Sequence, residues 1–257
     1  MTDLLKEERL ALILQAVHEQ GRATVTELSQ RFKVSKITIR RDLRELANDG
    51  LLRRAHGGAI TLAPFSSEPP IIQRMTQNGA LKERIGRAAA ALVKHGDSVF
   101  LSSGSTVAYM VRHLHERKNL TVVTNALNVA TDLATAPGVT VVVLGGMMRA
   151  SELSLIGHIT EQAITEVRVE KLFMGIPALS LESGLTNDYL PEVMTDRAII
   201  RAAPALVLLA DHTKFGRVAS AYLTSVERIH TLVTDDKTDP AILDRIRALG
   251  VRVIVAT

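Results

Sequence analysis

The sequence contains no cysteine, no long apolar run and no internal repeat. Without cysteine, the chain can form neither a disulfide nor a thiolate metal site. No apolar run approaches the ~20 residues that a membrane-spanning helix needs. The first residues, MTDLLKEERL, place acids among the apolar positions and so do not resemble a signal peptide. These absences predict a cytoplasmic protein with no membrane partner.

The composition is typical of a globular chain. Of the 257 residues, 46% are hydrophobic and 23% are charged, which is sufficient for a sizeable apolar core. Because a domain averages about 150 residues, this length predicts one or two domains.

Basic residues are concentrated in one short segment. Between Lys33 and His56, seven lysines and arginines stand against three acids, an excess of four that equals the net charge of the whole chain. A local excess of this kind is typical of a nucleic-acid contact. The alternative is an ordinary solvated helix face, and the arrangement of the segment favours the first interpretation.

Three helices are predicted within the first fifty residues. Apolar residues spaced by three or four predict a first helix that ends near Gly21. Thr24 and Glu27 form a capping box ahead of a second helix over 25–32. Ser35 is a good N-cap for a third helix. The third helix is expected to bury three residues spaced i, i+4 and i+7: Ile39, Leu43 and Leu46.

The third helix is aliphatic on one side and cationic on the other. At 100° per residue, the face opposite Ile39 carries Ile37, Arg41, Arg44 and Asn48. Two helices joined by a short turn, the second with such a face, form a helix-turn-helix arrangement. Arginine and lysine can donate to guanine, and threonine offers a hydroxyl or a methyl group.

A β-wing is predicted after the third helix. The stretch LLRRAHGGAITL indicates a strand, a turn at Gly57 and Gly58, and a second strand that would hold basic residues near DNA phosphates. The residues expected to contact DNA are Thr24, Ser35, Lys36, Thr38, Arg40, Arg41, Arg44, Arg53, Arg54 and His56.

The most specific stretches of this segment are TIRRDL and RAHGGA, within VTELSQRFKVSKITIRRDLRELANDGLLRRAHGGA. The segment resembles the DNA-binding domain of the DeoR family of bacterial sugar-metabolism regulators. The resemblance implies a winged helix-turn-helix that binds operator DNA, usually as a repressor. The alternative is a winged helix that contacts only protein.

The rest of the chain is predicted to be a larger α/β domain. Residues 61–77 lose periodicity and contain three prolines, which indicates a linker between a DNA-binding domain over 1–60 and a sensor and oligomerisation domain over 78–257. Short apolar strands alternating with helices predict a Rossmann-like, mostly parallel sheet covered on both faces. The expected strands are 98–101, 120–124, 140–144, 171–175, 205–210, 231–234 and 252–255. The expected helices are 81–94, 106–117, 126–136, 159–167, 192–202 and 240–249.

Groups that bind oxyanions follow four of these strands. In such a sheet, ligands bind beyond the carboxyl ends of the strands, where backbone N–H groups, hydroxyls and a helix start favour phosphate. The residues concerned are Ser103, Gly104, Ser105, Thr106, Asn125, Gly145, Gly146, Arg149 and Lys214. Alternatively, the glycine–serine loop is only a capped turn, and Arg149 and Lys214 are simply solvated.

The stretches SSGSTVAYMV, LTVVTNALNVA, VVVLGGMMR, SGLTNDY and LADHTKFG resemble the C-terminal sensor domain of the same family. The first and the last are also similar to ribose-5-phosphate isomerase, which implies an isomerase-like or CoA-transferase-like fold. The resemblance implies that Asn187 and Asp188, which follow Thr186, contact sugar hydroxyls. It further implies a sugar-phosphate pocket lined by Gly104, Ser105, Thr106, Asn125, Gly146, Arg149 and Lys214.

Two positions depart from the family pattern. The family commonly has an acid where this chain has Ser102, and a Lys-Arg pair where it has Asp196 and Arg197. At position 196, this chain has a carboxylate where the family has a cation. This change favours an effector that differs from the usual one, such as a sugar with an amino or an additional hydroxyl group.

The alternative function is isomerisation of sugar phosphates. That reaction needs a positioned general base, but the stretch KLFMGIPAL has no carboxylate, and Glu182 and Asp188 are the nearest substitutes. We therefore expect no enzyme, no catalytic residue and no cofactor. His113 and His115, two residues apart in a predicted helix, point to different sides and predict no metal site.

The sequence as a whole predicts a DNA-binding transcription regulator. We expect a homodimeric or homotetrameric repressor of a carbohydrate catabolism operon, whose affinity for double-stranded operator DNA is controlled by a phosphorylated sugar.

Overall fold

The computed structural model describes residues 6–20, 22–49, 51–55, 57–61 and 69–257. The chain divides into two compact units, Met1–Glu68 and Pro69–Thr257. His56, one of the expected DNA contacts, lies outside the described residues. Within the described ranges, no helix is both long enough and apolar enough to cross a membrane.

The small unit consists of three helices and a three-stranded sheet. Its elements are α1 (Lys6–Gln20), β1 (Arg22–Thr24), α2 (Val25–Phe32), α3 (Lys36–Asn48), β2 (Leu52–Ala55) and β3 (Gly58–Thr61). The predicted bounds of α2 are confirmed, and β2 and β3 form the predicted wing. Strand β1 was not predicted, and it pairs antiparallel with β3. A Cβ on Gly58 would lie 2.1 Å from the carbonyl oxygen of Ala23, so the close approach of β1 requires glycine there.

Local hydrogen bonds determine where α2 and α3 begin. The Thr24 hydroxyl accepts from the N–H of Glu27 at 3.2 Å, and the Glu27 carboxylate accepts from the N–H of Thr24 at 2.8 Å, which is the predicted capping box. The Ser35 hydroxyl accepts from the N–H of Thr38 at 3.1 Å. Between the helices, Lys33 adopts a left-handed conformation with φ 53°.

The three α3 residues predicted to be buried are buried. They belong to one apolar core that also includes α1, α2 and the sheet. Its contributors from the helices are Ile13, Ala16, Val17, Val25, Leu28, Ile39, Leu43 and Leu46.

The second half of the predicted linker 61–77 is a helix of the large unit. Helix α4 spans Ile71–Thr76, Ile71 is buried, and Arg74 forms a buried ion pair with Glu152. The expectation of irregular structure there was wrong because a six-residue helix is too short to show an apolar period.

The large unit contains all seven predicted strands and five further short ones. The strands are β4 (Ser98–Leu101), β5 (Leu120–Thr124), β6 (Val139–Val143), β7 (Met147–Arg149), β8 (Ser154–Ile156), β9 (Lys171–Gly175), β10 (Ala178–Ser180), β11 (Gly184–Asn187), β12 (Ala205–Leu209), β13 (Ala221–Thr224), β14 (Ile229–Asp235) and β15 (Arg252–Ala256). The helices that follow α4 are α5 (Gly79–Ala90), α6 (Ser105–Val111), α7 (Leu127–Leu133), α8 (His158–Ala163), α9 (Leu190–Ala202) and α10 (Pro240–Ala248).

The seven predicted strands form one parallel sheet, which confirms the predicted fold class. Their order is β15-β14-β12-β9-β4-β5-β6, and every neighbouring pair is parallel. The chain runs outward from β4 to β6 and returns to β9 on the other side of β4. The boundary between β4 and β9 is therefore the topological switch point, where a crevice opens at the carboxyl ends of the strands.

Both faces of the central strands of the sheet are covered by apolar residues. Because side chains alternate along a strand, Phe100 packs on the face covered by α9 and α10, whereas Val99 and Leu101 pack on the face covered by α5, α6 and α7. This two-sided burial explains why the strands are almost wholly apolar.

Helix α6 is shorter than predicted. The sequence predicted a helix over 106–117, but α6 ends at Val111. Beyond it, the N–H groups of His113 and Leu114 bond to carbonyls three residues back, Met110 and Val111, so tight turns replace the helix. Leu114 nevertheless stays buried, which is why the apolar pattern continued past the true end.

Two small antiparallel sheets were not predicted. Strands β7 and β8 form a hairpin, and β10, β11 and β13 form a three-stranded sheet. Each of these strands has only three or four residues, and β13 is remote from β11 along the chain. Such short strands lack an alternating pattern of detectable length.

Candidate functional sites

The outward face of α3 is basic and exposed. Of the residues predicted to contact DNA, those exposed in the small unit are Thr24, Ser35, Lys36, Arg40, Arg41, Arg44 and Arg54. Thr38 is half-buried at the start of α3, and Arg53 lies in β2. The first turn of α3 therefore presents polar and cationic groups together.

Two of the three acids in the basic segment are paired with α1. The Asp42 carboxylate is buried and accepts from Arg9 Nε at 2.7 Å. Glu45 accepts from Lys6 Nζ at 2.7 Å. Because these acids point toward α1, they do not neutralise the cations on the outer face, and that face is more positive than the residue count indicates.

At the switch point of the large unit, the loop after β4 lies against the end of β9. The N–H of Ser102 donates to the carbonyl of Phe173 at 3.0 Å. Gly104 has φ 129°, and a Cβ there would lie 3.9 Å from Gly175 Cα. This conformation favours glycine and brings the backbone close to the crevice. Ser105 then begins α6, but with seven residues α6 contributes a weaker dipole than the predicted helix would.

Asn125 carries a buried acceptor without a partner. It follows β5, and its Nδ2 donates to the carbonyl of Leu155 at 3.1 Å. Leu155 N–H donates back to the Asn125 carbonyl at 2.7 Å. The Asn125 side chain is almost completely buried, and its Oδ1 accepts from no group in the described parts of the chain. An unsatisfied buried acceptor is costly, so this oxygen is suited to accept from a ligand.

Gly145 and Gly146 serve packing at the start of the β7–β8 hairpin. The Gly145 carbonyl accepts from the Thr160 hydroxyl at 2.7 Å. A Cβ on Gly146 would lie 2.1 Å from the same hydroxyl oxygen. The two glycines therefore allow α8 to approach the hairpin, a role that the sequence did not predict.

Arg149 is buried in an ion network. Its guanidinium pairs with Glu192 of α9 and stacks on the Tyr189 ring with 4.1 Å to the centroid. Glu192 also accepts from the Ser154 hydroxyl at 2.9 Å, and Glu152 lies 4.0 Å from the guanidinium. The predicted phosphate contact is thus already engaged by carboxylates.

Asp196 adds a further acid beside this network. Its Oδ2 accepts from Asn187 Nδ2 at 2.9 Å, and both side chains are buried. Burial, followed by the charge of nearby Glu192, raises the pKa of Asp196 well above its ordinary value, although Asn187 and Arg149 act in the opposite direction. The residue that departs from the family pattern is therefore a buried carboxyl group with a raised pKa.

The other predicted sugar contacts make hydrogen bonds within the fold. The Thr186 hydroxyl accepts from the N–H of Ala219 at 2.8 Å. Asp188 Oδ1 accepts from both the N–H and the hydroxyl of Ser220 at 2.9 Å. Asn187 Oδ1 accepts from the N–H of Tyr189 at 3.1 Å. The bonds of Thr186 and Asp188 hold the loop before β13 against the end of β11.

Lys214 lies at the carboxyl edge of the sheet. It ends a short 3-10 helix after β12 and is partly exposed. Strand β12 is the neighbour of β9, which is the neighbour of β4, so the ends of β12 and β4 are about 10 Å apart. That separation is within reach of a lysine and a bound phosphate together.

Neither acid considered as an isomerase base is suited to that role. Hydrogen bonds from the Glu182 backbone, Ser180 and Arg245 lower the pKa of Glu182, which is exposed. Asp188 is bonded to Ser220. His113 and His115 contact different acids, Glu83 at 2.7 Å and Asp132 at 2.6 Å, so they do not converge.

Several residues of the buried network were missed by sequence reasoning. Arg74 and Glu152 are 78 positions apart, and Arg149 and Glu192 are 43 apart. No local pattern signals such pairs, because only the fold brings them together.

Both units match described protein families. Residues 9–64 match the DeoR-like helix-turn-helix domain, and residues 77–236 match the DeoR C terminal sensor domain. Together, the two matches cover most of the chain.

Similar proteins of known designation are transcription regulators. The HTH-type transcriptional regulator GolR of Listeria innocua is 32% identical over 97% of this chain and 98% of its own length. The glycerol-3-phosphate regulon repressor of Escherichia coli is 35% identical over 87% of this chain and 88% of its own. The putative aga operon transcriptional repressor of Escherichia coli O157:H7 is 32% identical over 96% and 93%.

Among solved structures, this chain has a slight likeness to ribose 5-phosphate isomerase. The enzyme from Methanocaldococcus jannaschii is 19% identical, with a TM-score of 0.41 over 54% of this chain and 55% of that one. A likeness of this size carries no argument about activity.

Proposed function

Since this chain belongs to the DeoR family of transcription regulators, we propose that it represses a carbohydrate catabolism operon under the control of a phosphorylated sugar. The chain is a regulator with a DNA-binding domain and a sensor domain, and it is not an enzyme. The proposal also places the protein in the cytoplasm.

The observation that carries the DNA-binding role is the exposed cationic face of α3. Asp42 and Glu45 bond to basic side chains of α1, and the outer face presents the exposed cations Lys36, Arg41 and Arg44. A helix of this type enters the major groove with its first turn toward the bases. In the proposed complex, Arg41 reads guanine, and Lys36, Arg40, Arg44 and the wing residue Arg54 contact phosphates.

Repression is supported by the relatives. Two of them are designated repressors, one of the glycerol-3-phosphate regulon and one of the aga operon. The first designation includes a phosphorylated compound, which agrees with the proposed effector class.

The effector site is proposed at the switch point. Supporting it are the buried acceptor of Asn125, the glycine and hydroxyl groups of the loop Ser103–Thr106 and the lysine at the end of β12. Backbone N–H groups and Lys214 would bind the phosphate, and Asn125 Oδ1 would accept from a sugar hydroxyl. Thr186, Asn187 and Asp188 would then shape the site, since their side chains bond within the fold.

Arg149 can switch between two partners, Glu192 in the absence of effector and phosphate in its presence. For its guanidinium to bind phosphate, it must leave Glu192, and this exchange would free the first turn of α9. A ligand shifts a conformational equilibrium only through unequal affinity for the two states. Exchange of Glu192 for phosphate at Arg149 would provide that inequality.

A homodimer or homotetramer is proposed because one α3 reads only a half-site, and paired half-sites need a second copy. The β6 edge supports this state. Val142 and Val143 of β6 and the nearby Met147 and Met148 are exposed, and an apolar edge strand is a frequent place of association.

A thermal-shift series on the full chain tests the effector. A phosphorylated sugar that binds the native state raises the unfolding temperature, whereas the same sugar without phosphate does not. The sugar found must also change the affinity for a DNA duplex selected by the protein from a random pool. If no phosphorylated sugar shifts both quantities, the proposed effector class is wrong.

A further inference from the structure

The exposed basic face of α3 carries one apolar side chain, Ile37, to which the proposed function assigns no role. Ile37 is 77% exposed, more than any other large apolar residue with a described side chain. Its neighbours Lys36, Arg40 and Arg41 are all exposed and cationic. Burying this aliphatic side chain against apolar surface of a partner would be favourable in water.

Ile37 is placed where a side chain reaches base edges. It is the second residue of α3, one turn before Arg41 and two turns before Arg44 on the same face. In a helix-turn-helix, the N-terminal part of the recognition helix lies against base edges in the major groove. When the neighbouring cations contact DNA, Ile37 therefore has to lie within the interface.

The chemistry of the major groove restricts what Ile37 can contact. Guanine, adenine and cytosine present hydrogen-bonding groups there, and thymine adds a 5-methyl group. An aliphatic side chain packed against a hydrogen-bonding group of a base would remove water from that group without replacing the lost hydrogen bond, which costs free energy. Against a methyl group, the same contact buries apolar surface on both partners.

We propose that Ile37 selects thymine at one position of each half-site by packing against its 5-methyl group. This inference rests on the proposed function, because it requires that α3 enters the major groove. It adds a specificity determinant that acts without a hydrogen bond. Arg41 and Ile37 would then read neighbouring base pairs, one through guanine and the other through thymine.

A methyl-deletion cycle tests the assignment. A duplex selected by the full-length wild type from a random pool is remade with each thymine replaced in turn by deoxyuridine, which removes only the 5-methyl group. At one thymine per half-site, we expect the wild type to bind about fourfold more weakly, the factor for burial of one methyl-sized group. The variant Ile37→Ala should bind the duplex with thymine at that position and the duplex with deoxyuridine there with equal affinity.

Ile37→Ala is suited to this comparison because the side chain is exposed and alanine favours helix. Lys36→Ala is the matched control: it should weaken binding to both duplexes by the same factor and keep the fourfold ratio. If the thymine-to-deoxyuridine ratio is the same for wild type and Ile37→Ala at every position, the proposal is overturned.

Two further outcomes also contradict the assignment. A change in oligomer size of Ile37→Ala would mean that the side chain contacts a second copy of the chain. Failure of the wild type to bind any duplex would overturn the proposed function itself, whereas binding without methyl coupling overturns only the role of Ile37.

Discussion

Arg9 of α1 and Asp42 of α3 form a two-point ion pair inside the small unit. Arg9 Nε donates to Asp42 Oδ2 at 2.7 Å, and Nη2 donates to Oδ1 at 3.3 Å. Both side chains are largely buried. The pair joins α3 to α1 and keeps the Asp42 carboxylate buried between them, away from the exposed basic face of α3.

Replacing Asp42 with alanine should destabilise the small unit strongly. The change leaves the Arg9 guanidinium buried without its carboxylate, and breaking a buried pair in this way costs about 3–5 kcal/mol. Denaturant unfolding followed by circular dichroism measures the loss in the free energy of unfolding.

Glu45→Ala is the matched control on the same helix. Glu45 pairs with Lys6 at 2.7 Å, but both are well exposed, so the loss should not exceed about 1 kcal/mol. Equal effects of the two substitutions would contradict the structural role assigned to Asp42.

Replacing Arg41 with alanine should weaken operator binding and relax the sequence preference at one base pair. A guanine-reading arginine contributes about 1–3 kcal/mol, and its loss reduces discrimination at the contacted position. Fluorescence anisotropy with the selected duplex and its single-base variants measures both effects. Arg252→Ala, which removes an exposed arginine from β15, should change neither. Unchanged affinity and preference for Arg41→Ala would remove Arg41 from the interface.

Replacing Lys214 with alanine should leave DNA binding intact and reduce the response to the effector. Lys214 lies at the carboxyl edge of the sheet, where the phosphate is proposed to bind. Lys118→Ala removes an exposed lysine just before β5, at the opposite edge, and should respond as the wild type does. Dose-response curves of DNA affinity against effector concentration compare the three proteins. Coincident curves for wild type and Lys214→Ala would show that the pocket is elsewhere.

Asp196 should make stability fall as pH rises. Its pKa is raised in the folded protein by burial and by the charge of Glu192, so above the unfolded pKa of about 3.9 the folded state binds more protons than the unfolded state. The stability that this proton provides is full below that pH and is lost as pH rises through the folded pKa. Asp196→Asn keeps an acceptor for Asn187 and removes the titration.

The expected result is a variant that gains stability relative to wild type as pH increases. Free energies of unfolding measured from pH 4 to pH 8 give the difference curve. If the difference does not depend on pH, or if the variant loses stability relative to wild type as pH increases, the assignment of a raised pKa to Asp196 is wrong.

Much of the fold was predictable because its signals are local. The caps at Thr24 and Ser35 act within three residues, and the seven strands of the parallel sheet are apolar on both faces. The end of α6 was not predictable, since buried Leu114 extends the apolar pattern beyond Val111. Strand β1 owes its existence to pairing with β3, which lies more than thirty residues later.

The candidate sites were likewise predictable only where their signals are local in the sequence. The cationic face of α3 follows from helical spacing, which the sequence contains. The pairing of Arg149 with Glu192 and of Asn187 with Asp196 depends on how α9 packs, and a single sequence contains no signal for it. The orphaned acceptor of Asn125 is likewise a property of packing, although its position at a strand end was recognised.

The salt dependence of duplex binding by the full-length protein tests the central claim most directly. Because phosphate contacts do not depend on base sequence, a random-sequence duplex is sufficient. With four basic side chains per chain on phosphates, Lys36, Arg40, Arg44 and Arg54, the logarithm of the association constant should fall linearly with the logarithm of salt concentration, with a slope of about −3.6 for each chain engaged. Absence of binding, or an affinity independent of salt, would contradict a DNA-binding role for α3.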